Sequence, residues 1–189
     1  MIRNKILLLL CLCCCRLMMT AQLPQRQTVQ PSEPSRVNSV CLGVAGGGSL
    51  FHLIPTQGKS ISFFGGFGQA EVFFFVTENI TLGANYTYHY FAGKDSIANF
   101  AMDEVLISGA YHFKHSLNPH VSLGLGYYGS SDGNHFGLVP GVGIMPKVAK
   151  NIYIKARVSA AFFDMGGQDF KLEAGVVFVV FRHKPIPKY

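Results

Sequence analysis

From residue 39 onward the chain alternates apolar and polar positions with a period of two, the signature of a strand that shows different solvents to its two faces. The clearest run is Ile80 to Phe91. Ile80, Leu82, Ala84, Tyr86, Tyr88 and Tyr90 share one face, and Thr81, Gly83, Asn85, Thr87 and His89 the other. Turn-forming clusters rich in Gly, Pro, Asn, Asp and Ser punctuate the pattern. It predicts eight strands: Ser39–Ile54, Phe64–Val76, Ile80–Phe91, Ala101–Phe113, His120–Tyr128, His135–Lys147, Ile152–Phe163 and Phe170–Phe181. The sixth contains Pro140, which cannot donate to a ladder, so a bulge is expected there. Segments Gly129–Asn134, Lys114–Pro119 and Asp164–Asp169 read as connections.

The last run sets Phe170, Leu172, Ala174, Val176, Phe178 and Val180 on one face against Lys171, Glu173 and Gly175 on the other. A tilted strand of this length crosses a hydrocarbon layer. After the first two dozen residues no apolar run is long enough for a spanning helix, so a membrane reading requires a closed barrel without free strand edges. The fold class expected is all-β, an eight-stranded antiparallel up-and-down transmembrane β-barrel. An even strand count places both termini on one side of the membrane. The same alternation also permits a secreted lipocalin-like barrel with an apolar ligand cavity.

Composition supports many strands meeting lipid. Of 189 residues, 21 are Gly and 24 are Phe or Tyr, while only 14% are charged. The N-terminal 21 residues read as a secretory signal peptide, with Arg3 and Lys5 before the apolar stretch Ile6–Cys15 and cleavage between Ala21 and Gln22. Four of the five cysteines lie in that segment and leave Cys41 alone, so no internal disulfide follows. None is preceded by the small residue a lipoprotein signal needs. Cleavage leaves thirteen basic against ten acidic residues, no footprint for nucleic acid. The expected organisation is a signal peptide (1–21), a flexible periplasmic leader (22–38), a β-barrel (39–182) and a short periplasmic tail (183–189).

With the apolar faces outward, Glu71, Glu104, Lys155, Arg157, Lys171 and Glu173 share a narrow lumen. Eight strands leave room only for side chains, and buried charges must pair, so an ion-pair network filling the barrel is expected. His89, His112 and His120 also read as inward, without the close spacing or Cys and acidic neighbours of a metal site. No cofactor motif appears. His120-Val121-Ser122 resembles the His-x-Ser of outer-membrane lipid A deacylases. Here, however, it faces inward at the terminal end of its strand and lacks a placed acid. The expectation is therefore no enzyme.

Glu173, Gly175, Phe178, Val180 and Phe181 resemble the C-terminal assembly signal of bacterial outer-membrane barrels, although eight residues follow the aromatic. The chain from residue 39 resembles the small outer-membrane β-barrel families, the OmpX-like and OmpW-like proteins among them. That resemblance implies the outer membrane of a diderm bacterium, with both termini periplasmic. It also implies contact with outer-membrane lipid and lipopolysaccharide, and transit through periplasmic chaperones and the barrel-assembly machinery. It does not imply one activity, since members of the group serve as structural proteins, adhesins, small-solute channels or accessory parts of larger export and uptake complexes. The function expected is a non-enzymatic structural or partner-binding barrel with a side-chain-filled lumen, its loops being where a protein partner would be met. The alternatives are a narrow porin-like channel for small or hydrophobic solutes, or a lipid A-modifying enzyme.

Overall fold

The structure is a computed structural model that describes residues 36–53, 60–93, 98–131, 133–164 and 166–182. The signal peptide, its cleavage at Ala21 and Gln22, the leader up to residue 35 and the tail 183–189 lie outside the described residues.

The strands are β1 (Ser39–Leu53), β2 (Ile61–Phe75), β3 (Ile80–Phe91), β4 (Phe100–His112), β5 (Pro119–Ser130), β6 (Gly133–Ile144), β7 (Lys147–Ala149), β8 (Ile152–Phe163) and β9 (Gln168–Arg182). Neighbours in sequence pair antiparallel, and pairings of β1 with β9 and of β6 with β8 close the sheet on itself. Eight strands run the full height. The three-residue β7 continues the line of β6 beyond Met145 and Pro146 and pairs only with β8. The result is a closed eight-stranded antiparallel up-and-down barrel, without a helix among the described residues.

Alternation sets the two faces. Leu42, Val44, Tyr86, Tyr88, Tyr90, Ile107, Leu125 and Leu172 point outward and are exposed, while their sequence neighbours point in. Two apolar clusters lie inside, one near each end. On the loop side, away from the termini, Phe51, Phe63, Phe91, Met102, Leu106, Tyr128, Val139, Ala161 and Phe163 pack together. On the terminal side the cluster is Cys41, Phe73, Phe75, Met145, Tyr153, Val177 and Val179. Arg36, at the end of the expected leader, lies over this second cluster, its guanidinium 5.9 Å from the Phe75 ring and 5.5 Å from that of Tyr153.

Several boundaries differ from the pattern-based expectation. Gly129–Asn134 is not an open loop. β5 and β6 pair as far as Ser130 and Gly133, and Gly133 takes φ +136°, a backbone conformation that side-chain-bearing residues rarely adopt. Asp164–Asp169 is shorter than expected because β9 already begins at Gln168. Pro140 causes no bulge: β6 and β8 keep one register from Gly137↔Phe163 to Ile144↔Ala156, and only the pairs of Val139 and Pro140 are missing. Both need a hydrogen bond from the nitrogen of residue 140 to Ala160, which proline cannot make. The register shift lies elsewhere, where Val40 pairs with Phe181 but Cys41 with Val179. Val180 is the extra residue, and Val180 and Phe181 both end up exposed.

Candidate functional site

Between the two apolar clusters the barrel is crossed by ion pairs. β8 and β9 lie side by side and set Arg157 opposite Glu173. The Arg157 guanidinium donates to Glu173 at 2.9 Å from Nε, with a second nitrogen at 2.8 Å. Lys155, two residues earlier on β8, reaches Glu173 and Glu71 of β2, each at 2.5 Å. The Gln69 amide donates weakly to the same two carboxylates at 3.4 Å, and its carbonyl accepts from Thr87 at 3.2 Å.

Glu104 of β4 is the hub of the second half. Lys171 Nζ donates to both of its oxygens at 2.7 and 2.6 Å. Tyr128 donates its hydroxyl to Glu104 at 2.9 Å, and His89 Nε2 lies at the same distance. His89 Nδ1 is 3.8 Å from Asp169, whose carboxylate accepts a hydrogen bond from Ser49. Glu104, Lys171, Glu173 and Asp169 are each at least 99% buried. A buried charge left unpaired costs several kcal/mol. Glu104, Lys171 and Glu173 each meet an opposite charge, whereas Asp169 has the Ser49 hydroxyl on one oxygen and no hydrogen bond to the described residues on the other. The structure thus brings Glu71, Lys155, Arg157 and Glu173 into one group and Glu104 and Lys171 into another.

Tyr128, Asp169, Gln69 and Ser49 are not among the residues that the sequence pattern singles out. The period of two within His120–Tyr128 puts Tyr128 on the inward face with His120, Ser122, Gly124 and Gly126. Asp169 reads as loop because it precedes the apolar run.

The histidines separate into two places. His89 belongs to the Glu104 group. His112 and His120 are directly paired across β4 and β5, with ring centroids 5.1 Å apart, closer than their spacing in the chain suggests. His112 shares a hydrogen bond of 3.1 Å with Thr81. Both line a cavity of about 50 Å³, with Asn85, Ser122, Lys155 and Arg157 also in its wall. Nδ1 of His112 and of His120, Oδ1 of Asn85 and Oγ of Ser122 make no hydrogen bond to the described residues. The space suits a few waters. Ser122 Oγ therefore makes no bond to His120, so the His-x-Ser pair is not assembled as a nucleophile and base. Among the described residues no group of three or more His, Cys, Asp or Glu is placed to hold a metal.

The outer wall is apolar and banded. Its middle is aliphatic, with Leu42, Val44, Val72, Leu82, Val105, Ile107, Leu123, Leu125, Ile154, Val158 and Leu172 exposed. On the loop side it is ringed by Phe64, Tyr88, Tyr90, Tyr127, Phe136, Phe162 and Phe170. On the terminal side the ring is Phe74, Tyr111, Phe113, Phe178 and Phe181. Phe64, Leu125 and Ile107 are 72, 70 and 69% exposed, values that mark side chains standing clear of the sheet. Of the residues resembling an assembly signal, Phe178, Val180 and Phe181 are on this outer surface, Glu173 is inside, and Gly175 faces Ala45 across the β1–β9 seam.

No protein-family model matches the chain, and no curated protein does. Solved structures do resemble it. Neisserial surface protein A superposes with a TM-score of 0.55 at 16% identity, over 73% of this chain and 96% of that one. The N-terminal β-barrel domain of Pseudomonas aeruginosa OprF gives 0.48 at 19% identity, over 75 and 97%. Ail, the attachment invasion locus protein of Yersinia pestis, gives 0.49 at 10% identity, over 75 and 98%. The chain has the fold of the small eight-stranded outer-membrane β-barrels.

Proposed function

We propose that this chain is an integral outer-membrane protein, a non-enzymatic barrel closed to solutes, which supports the membrane or engages a protein partner through its loops. The observation that carries this reading is the inversion of polarity. Ion pairs lie inside, and an aliphatic band between two aromatic rings lies outside. A soluble monomer rarely exposes a contiguous apolar patch beyond a few hundred Å², whereas lipid requires such a band and aromatic residues suit its headgroup boundaries. Strands of 12 to 15 residues are long enough to span.

In this reading residues 1–21 are removed after Ala21, residues 22–38 and 183–189 are periplasmic, and residues 39–182 are the barrel. Both termini face the periplasm, and the loops face outward among lipopolysaccharide. Glu173, Gly175, Phe178, Val180 and Phe181 present the last strand to the barrel-assembly machinery after delivery by periplasmic chaperones. The lumen network of Glu71, Glu104, Lys155, Arg157, Lys171 and Glu173 is a structural plug, backed at each end by an apolar cluster. A second reading, a narrow channel, draws on the polar cavity beside His112 and His120.

The test is a pair of measurements on residues 22–189 refolded in detergent. A lipid-embedded barrel resists denaturant unheated and changes gel mobility only on boiling. A water-soluble β-rich monomer without that shift would exclude the membrane reading. In a planar bilayer the plugged barrel gives no discrete conductance steps, and regular steps would favour the channel.

A further inference from the structure

Between the ion pairs and the terminal-side apolar cluster, the polar cavity of about 50 Å³ carries more hydrogen-bonding capacity than the plug uses. Cross-strand pairing sets His112 opposite His120 and Ala110 opposite Ser122. On the next strand Gly143 stands opposite His120, and Gly141 opposite Ser122. A Cβ at Gly143 would lie 2.8 Å from the His120 ring, and one at Gly141 would lie 2.8 Å from Ser122 Oγ. The two glycines thus leave β6 bare beside these side chains. Asn85, His112, His120 and Arg157 of the wall are each more than nine-tenths buried. Yet His112 Nδ1, His120 Nδ1, Asn85 Oδ1, Ser122 Oγ and Arg157 Nη2 make no hydrogen bond to the described residues. So many buried polar atoms without partners are costly, and they converge on one space.

We propose that this cavity binds a small inorganic anion, a halide such as chloride. Charge decides between an anion and a cation. The charged side chains that act most on the two rings are cations, Arg36 at His112, and Lys155 and Arg157 at His120. The carboxylates are engaged elsewhere. Glu173 lies between Lys155 and Arg157. Glu71 gives Oε2 to Lys155 and turns Oε1 to Gly43 of β1, where a Cβ would meet it at 2.5 Å. The unpaired groups supply donors. Arg157 Nη2 carries only N–H groups, Ser122 has a hydroxyl, and a neutral imidazole donates from Nδ1 in one tautomer. For His112 that is the tautomer in which Thr81 Oγ1 donates to Nε2, across 3.1 Å. Asn85 offers its amide N–H groups after a half-turn of the amide. Water fills such a space as well, but only an anion gains from the cationic surroundings, and that attraction is strong where solvent is excluded. The room admits a halide with a water or two, and no anion as large as gluconate. The site lies inside the barrel and stands independently of what the outer wall meets.

Bromide, which replaces chloride and scatters anomalously, is the direct probe. Crystals of the mature chain, residues 22–189, grown in bromide should show one anomalous peak in the cavity, within reach of Arg157, Ser122 and the histidine pair. In solution, the urea midpoint of the refolded barrel should rise with the logarithm of chloride when chloride replaces gluconate at constant ionic strength. Ser122→Ala and His120→Phe each remove a donor. Both should flatten that rise while keeping the β-sheet circular dichroism of the parent. If His120→Phe does not fold, Ser122→Ala and bromide in the parent carry the test. A parent cavity without anomalous density overturns the anion site. So does a midpoint indifferent to chloride, or a chloride dependence that the folded variants retain in full.

Discussion

Lys171 sets its ammonium against both carboxylate oxygens of Glu104, 2.7 and 2.6 Å away, and the contact spans the barrel from β9 to β4. Both side chains are fully shielded from solvent. Removing Glu104 strands the Lys171 ammonium, and removing Lys171 leaves the Glu104 carboxylate with only the Tyr128 hydroxyl and His89, in a place with no water to take over. Glu104→Ala or Lys171→Ala should therefore cost about 3–5 kcal/mol. The double replacement Glu104→Met with Lys171→Met should cost less than either single change, because no charge is left unpaired. Urea unfolding of the refolded protein in lipid vesicles measures all three. Single changes costing under about 1 kcal/mol, the worth of a surface pair, would mean that the pair is solvated in the membrane.

Tyr128 serves two parts of the interior at once. Its hydroxyl donates to Glu104 at 2.9 Å, and its ring packs edge to face on Phe163 at 4.6 Å. Tyr128→Phe keeps the ring and deletes the donor. A loss of about 1.5–3 kcal/mol is expected for a hydrogen bond to a charged acceptor, with the heat-dependent mobility shift retained. The same unfolding assay checks it, and an unchanged midpoint would show that Lys171 and His89 satisfy Glu104 without the hydroxyl.

Much of the fold could be read from the period of two alone, because a barrel wall between two media forces every strand to alternate. The runs Ile80–Phe91 and Ile152–Phe163 coincide with β3 and β8 to the residue. The period also sorts Glu104 and Lys171 from Val105 and Leu172. It carries no information about who meets whom across the interior, because that depends on how a sheet of eight strands closes and on its stagger. Hence the contact of Lys155 with Glu71, or of His89 with Glu104, could not be named from the chain. Asp169 and the pairing of Ser130 with Gly133 are illegible for another reason. Polar turn-forming residues look alike whether they end a strand or continue it inward, and β5 and β6 extend through Ser130 and Gly133 into a segment that reads as loop. Pro140 reads as a bulge in the sequence because both a bulge and a silent gap solve the missing donor. The intact register shows the gap.

That gap makes its own prediction. Pro140 sits on the outward face of β6, and the ladder to β8 loses only the two pairs that need its nitrogen. Pro140→Val restores a donor aimed at Ala160 and adds a β-branched side chain that lipid tolerates. A gain of about 1 kcal/mol is expected, and the new amide at position 140 should exchange slowly with deuterium. Fast exchange there would mean that the β6–β8 seam is open at this height for a reason other than the proline.

Gly175 has no freedom to change. A Cβ on it would lie 2.5 Å from the Val44 carbonyl oxygen and 2.6 Å from the Ala45 Cβ, both on β1 across the seam that closes the barrel. Neither contact is a flexible chain end that can swing aside, so the two strands would have to part. Gly175→Val should abolish the heat-shifted form in refolding experiments with purified protein, where no assembly factor is present. Gly175→Ala should reduce its yield, since overpacking by a methyl costs about 1–3 kcal/mol. Val180→Ala, on the lipid-facing side of the same strand, provides the contrast: it removes only outward surface and should refold normally in detergent. If Gly175→Val refolds as well as the parent, the glycine is not held there by packing against β1. Its match to an assembly signal would then be the remaining account of why a glycine stands at that point of the strand.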